Sequence, residues 1–428
     1  MGSDIMRLPY RGGNWNNGSN AGLAALNLNN SRVNTNTNIG FRPAFGSSQK
    51  ATPHGALSSA LSKGCRCLGY RRKTEQAAPV RRAADFKALM YDQIISFDNL
   101  HQAALRCLCG KRTSPAALRY MQRLEEHLHD THNHLLHDSY QPGGYEEFYV
   151  FEPKQRLISA PRFVDRVVHR AIMNVLEPTL DPRFIFDSYA CRKGKGVHAG
   201  ANRAQRWMRA IRQAHGPLFC LKADISKYFA SVDHARLKAI LRRHIHCDRT
   251  LRLLDAIIDS SPGRPGVGIP LGNLTSQLFA NLYLNELDRY AKHDLGIRYY
   301  IRYMDDFVVL HHDKAQLQAW RARIEQFLWS ALRLTTNSKT QIFPVGPDNG
   351  RALDFLGYRI YPTHRLLRKN SIKRIRYKLR RFKRAIAAGR LTAGDCRPCI
   401  QSWCAHAAHA NTWRLRCSLF NISRGANR

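Results

Sequence analysis

Three aspartates sit in otherwise apolar surroundings. Asp224 ends the run Phe219-Cys220-Leu221-Lys222-Ala223, and Asp305-Asp306 lies within Tyr299–Leu310, followed by Phe307-Val308-Val309-Leu310. An adjacent acidic pair is common on solvated turns, but carboxylates inside an apolar run cost free energy to bury and need a compensating partner. A carboxylate at the end of a buried strand, with two more on a nearby hairpin, suits a pair of divalent ions. Two ions roughly 3.5–4 Å apart can activate an attacking 3′-hydroxyl and steady the leaving oxygen during in-line attack on an α-phosphate. Magnesium, for which manganese can substitute, prefers hard oxygen ligands and keeps several waters, so two or three convergent carboxylates suffice. Asp224, Asp305 and Asp306 are therefore the expected metal ligands.

The elements that must present these residues follow from periodicity. Residues 85–138 read as helical, with a helix start at Ser114-Pro115. Tyr145–Ile158 alternates like a strand pair around Glu152-Pro153, and Arg162–Leu180 is helical up to Asp181-Pro182. Leu218–Asp224 reads as a buried strand, with a helix from Asp233, and a second helix spans 274–293 after a Gly/Pro-rich loop. Tyr299–Leu310 has the pattern of a tight hairpin. Ile372, Ile375, Leu379, Phe382 and Ile386 mark one apolar helix face, and eleven of the twenty residues from Arg365 to Arg384 are Lys or Arg. That helix is expected to bury one face and turn the other to a phosphate backbone.

Sixty-eight Lys and Arg against 31 Asp and Glu leave the 428-residue chain at +37. A polyanion is the expected partner, and nucleic-acid phosphates release condensed counterions when Lys and Arg contact them. No run of about 18 apolar residues predicts a membrane span, and the N-terminus lacks the layout of a secretion signal. Eleven scattered cysteines form no disulfide frame, which suits a reducing cytoplasm. Residues 1–80 differ from the rest: ten of the 25 residues 14–38 are Asn, and 46–78 are rich in Ser, Gly, Ala and basic residues. They read as a poorly ordered segment.

Tyr303-Met304-Asp305-Asp306 resembles the polymerase hairpin of many reverse transcriptases, and the likeness runs from about residue 85 to 420. EPKQRLISAPRFVDRVVHRAIMNVLEP is similar to the fingers segment of bacterial members, and FDSYACRKGKGVHAG is similar to the segment after it. LTTNSKTQI and DFLGYRI resemble later palm motifs, and SWCAHAAHANTWRL the end of the thumb. The resemblance implies an α+β right-hand polymerase fold. Fingers would cover 81–217, a palm with interleaved fingers elements 218–364, and a basic helical thumb 365–428; the palm sheet would be antiparallel with helices on one face. It implies RNA-templated addition of deoxynucleoside triphosphates to a primer or growing cDNA. By position, Lys339 matches a motif lysine near the leaving phosphate, and Lys154 and Arg156 match residues that grip the triphosphate. Phe229 matches the bulky gate against a ribonucleotide 2′-hydroxyl. Tyr303, Met304 and the triplet Phe355-Leu356-Gly357 fall at the primer end, and Lys373, Arg376 and Lys383 on the thumb helix would face template and primer.

Gly268–Asn281, GIPLGNLTSQLFAN, departs from the Gln-Gly and Ser-Pro of most reverse transcriptases: Leu271-Gly272 opens it and Ser276-Gln277 closes it. This variant resembles the reverse transcriptases of diversity-generating retroelements, bacterial and phage cassettes of the group II intron-like superfamily that copy a template repeat with errors at adenines. On that likeness Gly272 lets the backbone approach the nascent base pair, Leu271 replaces a polar contact with an apolar one, and Gln277 belongs to the same nucleotide-side segment. A small basic helical accessory protein is implied as a partner. The Asn-rich stretch resembles the variable segment of the lectin-like proteins that such cassettes diversify, so 1–45 could be template-repeat read-through. Asn codons are AA followed by a pyrimidine, and randomising both adenines never makes a stop codon. An ordinary-fidelity group II intron-like or retron-like enzyme and a non-catalytic RNA-binding protein are the competing readings. His127, His129, His132, His134 and His137 are expected to decorate a helix rather than bind metal, and Cys396-x-x-Cys399 lacks the second pair a zinc site needs.

Overall fold

The computed structural model describes residues 90–111, 113–151, 155–346 and 350–420; the Asn-rich segment and Lys154 lie outside them. The first layer is helical, as the spacing predicts. Helices α1 (Phe97–Leu108), α2 (Pro115–Gln122) and α3 (Leu124–Leu136) pack with α4 (Phe163–Leu180). Ser114 caps α2 by accepting the Ala117 N–H, and Pro115 fills the first turn, where its missing N–H costs nothing. The histidines of α3 have separate partners: His127 stacks on Tyr120, His129 tilts against Phe97, and His132 Nδ1 lies 2.8 Å from the Ile95 carbonyl.

Strands β1 (Tyr145–Val150) and β2 (Arg156–Pro161) form an antiparallel ribbon registered from Tyr145↔Pro161 to Val150↔Arg156. Helix α5 (Val197–His215) then leads into β3 (Phe219–Asp224), followed by the short α6 (Tyr228–Ser231), α7 (His234–His244), α8 (Asp248–Asp259) and α9 (Leu274–Arg289). Asp233 caps α7 through the Arg236 N–H at 2.9 Å. The central sheet also takes β4 (Tyr300–Tyr303), β5 (Asp306–His311) and, after α10 (Lys314–Leu332), β6 (Gln341–Pro344). Its order is β4-β5-β3-β6 and every pairing is antiparallel. Helices α5 and α10 pack against it.

A second sheet holds β7 (Leu353–Phe355), β8 (Tyr358–Ile360) and β9 (Arg365–Leu367), again antiparallel. The expected boundary at 365 therefore falls inside a sheet, and the terminal helical region begins with α11 (Lys369–Ala387), continuing through α12 (Ala393–Ala408) and α13 (Trp413–Phe420). On α11 only Ile375 is buried; Ile372, Leu379 and Phe382 are half-buried and Ile386 is exposed. The apolar face is thus largely covered, with Ile372 and Leu379 packed against the core beside Ile375. No helix among the described residues is long and apolar enough to cross a membrane. The molecule is the expected α+β right-hand arrangement.

Candidate active site

β3 and β5 are registered so that Asp224 lies directly opposite Asp306, and Tyr303↔Asp306 closes the β4–β5 hairpin around a two-residue turn, Met304-Asp305. Cross-strand partners share one face of a sheet, so the strand end and the hairpin bring the three aspartates together as the sequence predicts. Met304 takes a left-handed backbone, φ +54°, which a side chain adopts only under constraint. Two contacts hold the peptides on either side of Asp305: the Arg302 guanidinium donates to the Met304 carbonyl at 3.1 Å, and the Ile225 N–H donates to the Asp305 carbonyl at 3.2 Å.

The carboxylates are electrostatically strained. Burial first, then the charges of Asp224 and Asp306, push the Asp305 carboxyl up to about 7, and Arg156 on β2 opposes that rise. Lys222, two residues before Asp224 and on the same face, places its Nζ 3.5 Å from Asp306 Oδ1. Asn337 donates its backbone N–H to the Asp224 carbonyl at 2.7 Å and its side-chain amide to Asp224 Oδ2 at 3.4 Å. Among the described residues, no group of three His, Cys, Asp or Glu side chains is already gathered at ligand distance. Three mutually repelling hard-oxygen donors, one of them leaning on a lysine, still fit a divalent cation, which would relieve the repulsion that raises Asp305.

The other expected site residues divide. Arg156 is near Asp305, and the exposed Lys339 follows Asn337 in the loop that embraces Asp224, its N–H donating to Asn337 Oδ1 at 3.1 Å. Phe229 is half-buried, its carbonyl accepting from Ile269 at 2.8 Å. Gly272 has φ +137°, and a Cβ there would lie 2.6 Å from the Ser159 carbonyl of β2. Its close approach is thus to the β1–β2 ribbon, where the Leu271 carbonyl also accepts the Ser159 N–H at 3.0 Å. Leu271 and Gln277 are half-buried. Tyr303 and Met304 bury their side chains, as do Phe355 and Leu356, so these four do not offer side-chain surface to a primer. Leu356 and Gly357 turn the β7–β8 hairpin with positive φ, and Leu356 Cδ1 fills the space a Cβ on Gly200 would need. Lys373, Arg376 and Lys383 are exposed on α11.

Sequence reading passed over Lys222, Asn337 and the buried pair Arg302–Asp288. Lys222 and Arg302 were detectable in principle, each being a lone cation in an apolar strand. Asn337 required the tertiary contact.

The profile of the family Reverse transcriptase (RNA-dependent DNA polymerase) matches residues 151–360, from β2 through β8. Residues 151–360 are a reverse transcriptase domain. Protein YkfC of Escherichia coli is 29% identical over 290 residues, 58% of this chain and 73% of that protein. Group II intron-encoded protein LtrA of Lactococcus lactis is 24% identical over 166 residues, which span 37% of this chain and 27% of LtrA. Apo telomerase from Candida tropicalis superimposes with a TM-score of 0.43 at 11% identity, covering 52% of this chain and 55% of the telomerase. The reverse transcriptase domain and its group II intron-like relatives support RNA-directed DNA polymerase activity.

Proposed function

We propose that this chain copies RNA into DNA with carboxylates Asp224, Asp305 and Asp306 holding two magnesium ions, and that it is the error-prone polymerase of a diversity-generating retroelement. The observation that carries the chemistry is the register Asp224↔Asp306 with Asp305 at the adjacent turn. When bound, the ions supply charge neutralisation for the triphosphate and acidify the primer 3′-hydroxyl. Arg156 and Lys154 hold the triphosphate, Lys339 stands near the leaving pyrophosphate, and Phe229 excludes a 2′-hydroxyl. The exposed cations of α11, Lys373, Arg376 and Lys383, track the template–primer backbone. A small basic helical accessory protein completes the assembly.

The retroelement assignment rests on the Leu271-Gly272 and Ser276-Gln277 variant. The Leu271 backbone is tied to β2, so its apolar side chain is presented from a fixed loop, where it offers a template base no hydrogen bond. A mismatch then loses less than it would against a polar contact. Leu271→Gln should lower misincorporation opposite template adenine more than opposite the other bases, by roughly tenfold, the worth of one hydrogen bond. Sequencing cDNA made on one RNA by both enzymes, with and without the accessory protein, measures it. Wild-type errors that are rare and even over all four bases would leave the second reading, an ordinary-fidelity group II intron-like or retron-like polymerase.

A further inference from the structure

Arg302 is fully buried on β4 beside an equally buried Asp288 of α9. Its Nε and Nη2 grip Asp288 Oδ1 and Oδ2, each at 2.7 Å, and the Tyr300 hydroxyl donates to Oδ1 at 2.8 Å. The remaining N–H groups are also used. Nη2 donates to Ser188 Oγ at 3.2 Å, and Nη1 donates to Asn281 Oδ1 at 3.3 Å and to the Met304 carbonyl at 3.1 Å. All but the last of these bonds tie elements of the fold together. The last holds the peptide that joins the left-handed Met304 to Asp305.

A peptide is planar, so fixing the Met304 carbonyl also fixes the direction of the Asp305 N–H. The next peptide is fixed by the Ile225 N–H on the Asp305 carbonyl. Both peptides that flank Asp305 are therefore held, the preceding one by Arg302 and the following one by Ile225, just beyond Asp224. A guanidinium is suited to this task because its planar fork can satisfy a carboxylate bidentately and still present N–H groups elsewhere; an ammonium lacks that geometry. The turn would otherwise relax toward a commoner backbone conformation.

We infer that Arg302, locked in place by Asp288, is a positioning residue that holds the Met304–Asp305 peptide in the conformation aiming Asp305 beside Asp224. It touches no substrate, and the inference rests on the polymerase reading above.

Arg302→Lys keeps a paired buried cation but cannot hold both Asp288 and the Met304 carbonyl. Arg302→Met combined with Asp288→Asn removes both charges together, so no unpaired ion is left inside, and the Asn oxygen still accepts from Tyr300. With the full chain, both variants should melt within a few degrees of wild type and bind template–primer with an unchanged Kd. Their kcat should fall by about 10²-fold, as a small misplacement of a reacting group does, while KM for the deoxynucleotide stays nearly constant. Amide hydrogen exchange over residues 303–307, which needs no activity, should accelerate in both. Wild-type kcat and wild-type exchange in folded Arg302→Lys would overturn the inference. A wild-type chain that makes no cDNA at all would refute the polymerase reading instead, and the exchange measurement would still decide the clamp.

Discussion

From Tyr300 to Leu310 every residue except Asp305 is buried, whereas along the nineteen residues of α11 only Ile375 is. Both segments carry the charges that define the molecule's chemistry. Around the hairpin, the charges are few, close, and held in a poorly solvated site: Asp305 is pushed up first by desolvation and then by Asp224 and Asp306, and Asp306 leans on Lys222. On α11, cations such as Lys373, Arg376 and Lys383 are hydrated and largely independent. Coulomb attraction is weak in water and strong in a site that excludes it. One substitution should therefore disable the hairpin, while several should be needed to weaken the helix measurably.

The largest effect belongs to Asp305→Ala. Divalent-ion chemistry contributes several kcal/mol to the barrier, so loss of this ligand should lower magnesium-dependent cDNA synthesis by on the order of 10³-fold or more. Removing one of three repelling carboxylates should leave the melting temperature equal or higher. Primer extension and a thermal melt on one preparation check both parts. Full activity in Asp305→Ala would remove the site assignment and with it the contrast between the two segments.

The triple change Lys373→Glu, Arg376→Glu and Lys383→Glu probes the other side of the comparison. Each phosphate left without its cation should flatten the plot of log affinity against log salt by about one unit, so the triple variant should be flatter by about three. Affinity should fall alike for all template sequences, with kcat on saturating template little changed. A wild-type salt slope would place α11 away from the nucleic acid and leave its exposed charge unexplained.

These two segments also show what the sequence made legible. The hairpin was readable because Asp305-Asp306 contradicts its apolar flanks, and a contradiction in a buried run points to function. Helix α11 was readable as a helix from its three- and four-residue spacing. Its burial was not, since periodicity marks the apolar face without saying whether anything covers it. The burial at the primer-end triplet was hidden for a related reason: Leu356 and Gly357 turn the β7–β8 hairpin, but Gly200 leaves a space that Leu356 fills. Likewise Gly272 does mark a close backbone approach, but to Ser159, which lies far back along the chain on β2 and which no local pattern encodes.

Lys222 offers the smallest and finest test of the comparison. It lies on the aspartates' side of the contrast, yet is about a quarter exposed, intermediate between the buried Asp306 and the exposed cations of α11. Its ammonium stands 3.5 Å from Asp306, so a divalent ion approaching the aspartates must compete with it or displace it. Lys222→Met removes the competitor while retaining the apolar stem. A partly exposed pair at this separation is worth on the order of 1 kcal/mol, so the half-saturating metal concentration should fall by about fivefold. The direction matters more than the size. If Lys222 instead remained in place and assisted metal binding by holding Asp306 in position, the same change would weaken it. Titrating manganese into the full chain and counting the free ion by magnetic resonance gives the sign without reference to activity. Tighter manganese binding in Lys222→Met would mean that β3 supplies the aspartates with a stand-in cation; weaker binding would mean that the lysine belongs to the site permanently.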